Sequence, residues 1–315
     1  MNLAPTDADV LAARPPKEPV DPHRPYALVV EDERTAEGTV EPVATLFLTN
    51  RECPFRCTMC DLWRHTLDDP TPLGAIPAQI EFALQALPTA AHIKLYNSGN
   101  FFDRQAIPVE DHAAIAQLVR PFRTVIVECH PRLCGDEVLR FRDRLGPDQQ
   151  LEVAMGLETI HPRVLPLLNK RMTTDDYARA SRRLVAAGVA VRSFILLRPP
   201  TLSHAEGVEW ALRSLEFAFD AGARAAAVIP TRAGNGLLDQ WRRQGWFAEP
   251  SLGALEEVAE TAIAWGRGRV FVDLWDLPRF APCPHCRDNR RNRLDLMNRE
   301  QKVVPSTPCT VCENQ

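Results

Sequence analysis

From position 44 onward, short apolar runs alternate with longer stretches in which apolar residues return every three or four positions. Such alternation predicts strands and helices in succession. The strands are expected at 45–48, 92–96, 124–127, 151–157, 189–197, 225–229 and 270–274. The helices between them are expected at 75–87, 109–119, 136–145, 174–187, 203–219 and 252–264, the one at 174–187 opening on a Thr-Thr-Asp-Asp start signal. Strands separated by helices pair through crossovers, so the sheet should be parallel. The expected fold is α/β, a full or partial (β/α) TIM-type barrel of parallel strands, with its chemistry at the C-terminal ends of the strands. Residues 1–40 are Pro-rich, mixed in charge and without period, and are expected to be a flexible arm. The rhythm stops after Leu277. The expected organisation is therefore an arm at 1–40, a core barrel at 41–277, and a small cysteine-rich C-terminal metal-binding segment at 278–315.

Composition narrows the picture. A chain of 315 residues with 45% hydrophobic and 25% charged residues can bury a large core. Its net charge of −4 and pI near 6.1 provide no global attraction for nucleic acid or membrane, so any such contact must be local. There is no run of eighteen apolar residues and no signal-peptide pattern, so a soluble cytoplasmic protein with no membrane partner is expected. Nine cysteines in such a setting point to reduced thiols and metal ligation. Only Cys129 and Cys134 fall outside a ligand-like spacing.

Cys53, Cys57 and Cys60 form a CxxxCxxC cluster just after the first expected strand. Three thiolates in one short loop can ligate three irons of a 4Fe-4S cluster and leave the fourth iron open to a small molecule. The same residues could be buried inert thiols, or part of a zinc site with a distant fourth ligand. Polar residues follow the later strands in turn: Asn97, Ser98, Gly99 and Asn100, then Glu128, Glu158 and Arg198, then Arg232 with Asn235. Each alone is also an ordinary loop residue. Glu128 could equally form a structural ion pair, and Glu158 a surface salt bridge. In the tail, Cys283, Cys286, Cys309 and Cys312 make two CxxC pairs suited to a structural zinc or an auxiliary iron-sulfur cluster, and His285 could replace one of them. Arg287, Arg290, Arg291 and Arg293 between the pairs could form a phosphate-contacting patch or a solvated face.

A CxxxCxxC loop after the first strand of a parallel α/β chain resembles the radical S-adenosylmethionine (SAM) enzymes. The resemblance implies that the open iron chelates the amino and carboxylate groups of SAM. An electron through the cluster then cleaves SAM to a 5'-deoxyadenosyl radical, which takes hydrogen from substrate. It places Asn97 to Asn100 at the methionine amino group, where small residues permit close backbone approach. Glu158, in Gly156-Leu157-Glu158-Thr159, falls at the ribose hydroxyls, and Glu128 at amino groups of SAM or substrate. Met59 stands where the family often has an aromatic residue near adenine.

The segments Asn97-Ser98-Gly99-Asn100-Phe101-Phe102-Asp103, 151–159, Asn169-Lys170 and Leu196-Leu197-Arg198-Pro199-Pro200, with the tail cysteines, look like the radical-SAM subunit of archaeosine synthase over residues 43–312. They are more distantly similar to the radical-SAM domain of the Elongator acetyltransferase subunit. The resemblance implies a modified 7-deazaguanine in tRNA as substrate, with carbon-nitrogen cleavage on an attached lysine that leaves a formamidine. It also implies a lysine-transferring partner enzyme and an electron donor such as flavodoxin or ferredoxin. One departure is Cys129-His130-Pro131, where a small residue and an arginine would precede the proline. Two other readings stay open: a radical SAM enzyme for a small metabolite or peptide, and a noncatalytic nucleic-acid-associated metal-binding protein.

Overall fold

The computed structural model describes residues 4–281, 283–306 and 308–313. Eight strands form one sheet in chain order: β1 (Ala27–Arg34), β2 (Val40–Phe47), β3 (His92–Tyr96), β4 (Thr124–Glu128), β5 (Gln150–Glu158), β6 (Ala190–Leu197), β7 (Ala225–Pro230) and β8 (Arg269–Val272). From β2 to β8 every pair is parallel, and β1 lies antiparallel on β2. The edge strands β1 and β8 do not pair, so the sheet curls as a half-barrel with an open side. The seven strands expected from the hydrophobic pattern are β2 to β8, and the six expected helices lie between them. No helix among the described residues is long and apolar enough to cross a membrane.

Period-two alternation sorts the strand residues onto two faces. Leu46, Ile93, Leu95, Val125, Val127, Val153, Met155, Val191 and Ile195 point outward into the main core beneath the helices. Ile76 and Ile80 from helix Ala75–Ala86, Tyr177 and Leu184 from helix Thr174–Ala186, and Leu215 from helix His204–Asp220 complete that layer. Thr173 and Ser203 begin two of these helices with capping boxes.

The alternate residues face the barrel interior. Towards the N-terminal ends of the strands, Lys94 pairs with Glu33, Arg192 with Glu33 and Glu152, and Arg269 with Glu152. Buried charges persist only when paired in this way, and here they close the floor of the half-barrel. Above them, Tyr96 meets Phe47 and Phe194 edge-on at centroid distances of 6.2 and 6.1 Å. Ala154 and Gly156 on β5 and Ala227 on β7 turn small groups inward and leave room near the C-terminal ends.

The expected flexible arm is corrected by the structure. Among its described residues, Asp7–Ala13 is a helix and Ala27–Arg34 is an edge strand of the sheet. The Glu31-Asp32-Glu33 run of β1 disguised the strand, because Glu33 has basic partners only inside the barrel. Val10 packs with Leu237, Leu238 and Trp241. Gly236, at φ +93°, lies so close to the arm that an added Cβ would stand 1.9 Å from the Ala13 carbonyl oxygen. The tail also adds a helix, Arg287–Glu300, packed against β1, β8 and helix Leu252–Ala264.

Candidate active site

The three cysteines sit on the loop that leaves β2, and neighbouring elements grip its backbone from several sides. Asn235 donates to the Thr58 carbonyl at 2.6 Å, and Trp63 Nε1 to the Cys60 carbonyl at 3.0 Å. Thr58 N–H donates to the Leu168 carbonyl at 3.0 Å, while Asn169 donates to the Arg56 carbonyl at 2.8 Å. The arm contributes too: Arg14 and Lys17 bind Glu52 at 2.7 and 2.9 Å, immediately before Cys53. Burial pushes the Cys53, Cys57 and Cys60 thiols up to about 12. They therefore carry their protons until a metal displaces them.

The loop after β3 comes against this cysteine loop. An added Cβ on Gly99 would lie 2.8 Å from Cys53 Cβ, so only glycine fits without a shift. Asn100 donates to Cys53 Sγ at 3.4 Å and accepts from the His130 backbone N–H. Glu128, at the end of β4, accepts the Asn97 N–H at 2.9 Å and also the amides of Ser98 and Gly99. Its carboxylate thus holds the 97–99 turn, in which Ser98 has φ +55°. Burial raises Glu128 to about 7 against those amide donors. Tyr26 from the arm closes on the same turn, with its hydroxyl 3.1 Å from Ser98 Oγ.

Asn97 is fully buried, yet neither atom of its side-chain amide has a partner. Thr58 Oγ1, Thr49 Oγ1 and Asn50 Oδ1 are likewise buried and unpartnered. Buried polar groups are nearly always satisfied, so these unpartnered atoms on the cysteine loop and on the turn after β3 fit a bound polar ligand. The Asn100-to-sulfur hydrogen bond fits a cluster as well, since such donors tune iron-sulfur centres.

Glu158 ends β5 at φ +66° and receives Lys170 Nζ at 2.8 Å, both side chains being buried. Gly156 makes room for the pair, because a Cβ there would stand 2.0 Å from Glu158 Oε1 and 2.5 Å from Lys170 Nζ. His130 stacks on Phe55 of the cysteine loop, with centroids 3.8 Å apart and planes within 10°. Its Nδ1 accepts the Arg132 N–H at 3.2 Å, so Nε2 bears the proton and donates to the Lys170 carbonyl at 2.9 Å. Burial, then the Lys170 charge, holds this imidazole down near 3 and neutral. The histidine that replaces the expected arginine thus ties the cysteine loop to Lys170. Sequence reasoning had Lys170 only as part of a resembling segment. A usable signal was its rarity, since only Lys17, Lys94, Lys170 and Lys302 are lysines among 37 basic residues.

Cysteine-loop spacing, its place after a parallel strand and the Gly99–Asn100 turn packed on it agree with one comparison. The family model described as the radical SAM superfamily matches residues 48–211. The chain belongs to the radical SAM superfamily. It is an enzyme of that family, whose members use a 4Fe-4S cluster and SAM, and the residues around Cys53, Cys57 and Cys60 fit both groups. Among curated relatives, the chain is 25% identical over 214 residues to archaeosine synthase subunit beta of Methanosarcina acetivorans, covering 66% of this chain and 62% of that protein. It is 30% identical over 127 residues to archaeosine synthase subunit beta of Thermococcus kodakarensis, covering 39% of each. The matched stretches thus span less than two thirds of either relative. Streptococcus suis SuiB bound to precursor peptide SuiA shares the fold at TM-score 0.55 and 12% identity, over 74% of this chain and 49% of that one.

Met59, Arg198 and Arg232, also expected at the site, have protein partners of their own. Met59 packs against the apolar groups around Leu237 and Leu168. Arg198 donates to the Leu202 and Glu249 carbonyls, and Arg232 binds Asp273 and the Trp275 carbonyl, so both brace loops. The four-arginine patch is not formed. Arg290 binds Glu256, while Arg293 is buried against Glu256, Glu260 and the Val304 carbonyl. Arg287 sits beside Asp288, which leaves Arg291 exposed. His285 is exposed and lies outside the tail sulfur group. Pro282, next to Cys283 in the expected metal-binding segment, lies outside the described residues.

Proposed function

We propose that this protein is a radical SAM enzyme of tRNA modification, acting on a lysine-bearing 7-deazaguanine by carbon-nitrogen cleavage. The observation that carries the radical part is the CxxxCxxC loop set against the turn after β3, which carries the unpartnered Asn97 amide. The substrate part draws on the similarity to two archaeosine synthase beta subunits. When bound, the cluster supplies the electron that cleaves SAM to a hydrogen-abstracting radical.

In this reading Cys53, Cys57 and Cys60 hold the cluster, and Asn100 orients Cys53. Asn97 offers its free amide to SAM, while Gly99 keeps the backbone close enough for contact. Glu128 acts as a positioning residue, because its carboxylate holds the amides of the turn. Glu158 faces the ribose side with Lys170 fixing its orientation. Met59 contributes an apolar surface near adenine. The floor of paired charges leaves the aromatic upper interior, with Tyr96 and Phe194, as the place for a flat substrate. The chain works in the cytoplasm with a flavodoxin or ferredoxin as electron donor and a separate lysine-transferring enzyme. The tail cysteines hold a separate zinc that takes no part in the radical chemistry.

The test is anaerobic reconstitution followed by reaction with tRNA carrying the lysine-modified base. Formation of 5'-deoxyadenosine together with a formamidine on the base is expected. Equal 5'-deoxyadenosine formation with and without that tRNA, and no change in the base, would refute the assignment of substrate. A second reading, a small metabolite or peptide substrate, is favoured by the pairing of Arg290 and Arg293 inside the protein, which removes two contacts for an RNA backbone.

A further inference from the structure

The four tail sulfurs are gathered for one ion. Cys283, Cys286, Cys309 and Cys312 place their Sγ atoms within 4.8 Å of one another. The Cys283–Cys309 and Cys286–Cys312 separations are 4.0 and 3.7 Å. A tetrahedron with metal–sulfur bonds of about 2.3 Å has edges of roughly 3.8 Å, so a single ion fits at the centre. A cubane cluster would hold each cysteine on a different iron and spread the sulfurs further apart. Each CxxC pair is closed by a local turn: the Cys283 carbonyl accepts Arg287 N–H at 3.2 Å, one residue beyond its pair, and the Cys309 carbonyl accepts Cys312 N–H at 2.9 Å, within its pair.

The position of this site gives the ion a task. Cys286 immediately precedes helix Arg287–Glu300, and the second pair returns to it after the chain has run back along the helix. That helix lies against both edge strands, β1 and β8, and so covers the open side of the half-barrel. Leu294 and Met297 enter the main core. At the far end, Asn298 exchanges hydrogen bonds with Val272 N–H and C=O at 2.8 and 2.9 Å, and Gln301 does the same with Val270 at 2.6 and 2.9 Å. Two side-chain amides thus supply the strand partner that β8 lacks. Arg290 and Arg293, bound to Glu256 and Glu260, fix the helix sideways.

We propose that Cys283, Cys286, Cys309 and Cys312 bind one tetrahedral zinc ion, and that this ion latches helix Arg287–Glu300 over the open side of the half-barrel. This rests on the reading of the barrel as the enzyme core, but not on its substrate. Zinc suits the task because it is redox-inert and closed when four thiolates surround it. Joining both ends of the segment also removes the freedom that would let the helix swing away.

The test uses the full chain, reconstituted anaerobically and assayed for metals and for amide hydrogen exchange by mass spectrometry. One zinc per chain is expected beside about four irons. Cys312→Ser should lose at least tenfold in zinc occupancy, speed exchange at least tenfold over 269–272 and 287–300, and leave the iron count unchanged. About eight irons without zinc would overturn the single-ion assignment in favour of a second cluster. Zinc loss without faster exchange over 269–272 would overturn the latch. If Cys312→Ser does not fold, cobalt replaces zinc in the wild-type chain. Tetrahedral thiolate-cobalt absorption bands are then expected, and their absence overturns the site. None of these readings uses tRNA or SAM, so the proposed activity stands or falls separately.

Discussion

The cysteine loop at 53–60 and the cysteine pairs of the tail use similar short spacings, but their surroundings are opposite. In the loop, Cys57 is buried and Cys53 and Cys60 are half-buried, desolvation raises all three thiols to about 12, and neighbouring loop residues carry polar atoms with no partner. In the tail, four sulfurs lie within 4.8 Å of one another, close enough to surround one ion. Backbone donors from Cys286 and His285 hold the part-exposed Cys283 down near 6. The difference teaches that ligand count and neighbouring vacancies in hydrogen bonding separate a site for chemistry from a site for structure. An iron with an open position needs partners for its small molecule, and a closed ion needs none.

The strongest way to break this comparison is to remove one ligand from the loop. Cys57→Ala should abolish 5'-deoxyadenosine formation and the loop iron, while one zinc per chain stays in the tail. Metal analysis beside product chromatography checks it, and coupled loss of both metals would show that the regions are not independent.

Next in size is the buried pair behind the loop. Lys170→Ala leaves the Glu158 carboxylate uncompensated and should cost about 3–5 kcal/mol of stability. Adding Glu158→Gln should recover part of that loss in denaturant titration. In the tail, Arg290→Ala removes a partly exposed contact to Glu256, which keeps its partner Arg293, and should cost only about 1 kcal/mol.

Gly236→Ala tests whether the arm belongs to the site. The positive φ and the clash with the Ala13 carbonyl should cost about 2 kcal/mol and expose residues 7–17 to limited proteolysis. Proteolysis of the tail should not change.

The most gradual effect is a pH slope. His130 titrates near 3 in the folded protein and near 6.5 ordinarily. The unfolded chain therefore binds the extra proton between those values. Stability from this group is complete above pH 6.5 and falls as pH drops towards 3, by at most about 1.4 kcal/mol per pH unit. Thermal melts of wild type and His130→Phe should converge in that direction, and parallel curves would place His130 outside the network.

Much of the fold was legible because its signal is local. A parallel strand buried on both faces reads as an apolar run, and the helices after Thr173, Ser203 and Ser251 carry their own caps. β1 was not legible, since its acidic run has partners on β3 and β6 only after the sheet curls. The same holds in the tail, where four clustered arginines looked like one surface. Two of them instead turn to Glu256 and Glu260, more than thirty residues earlier in the chain. Glu128 was legible as a functional position but not in its role, because the amides that it accepts come from another strand end.

The sequence by itself determined the alternation of strands and helices, the three-cysteine ligand loop and the presence of a second four-cysteine set, because each depends on spacing along a short stretch of chain. Only the tertiary structure decided which groups stand unpartnered around the loop, that His130 and Lys170 support it, and that the tail cysteines converge on one point beside the sheet's open edge. Those facts depend on which distant residues share a small volume, and spacing along the chain carries no record of that.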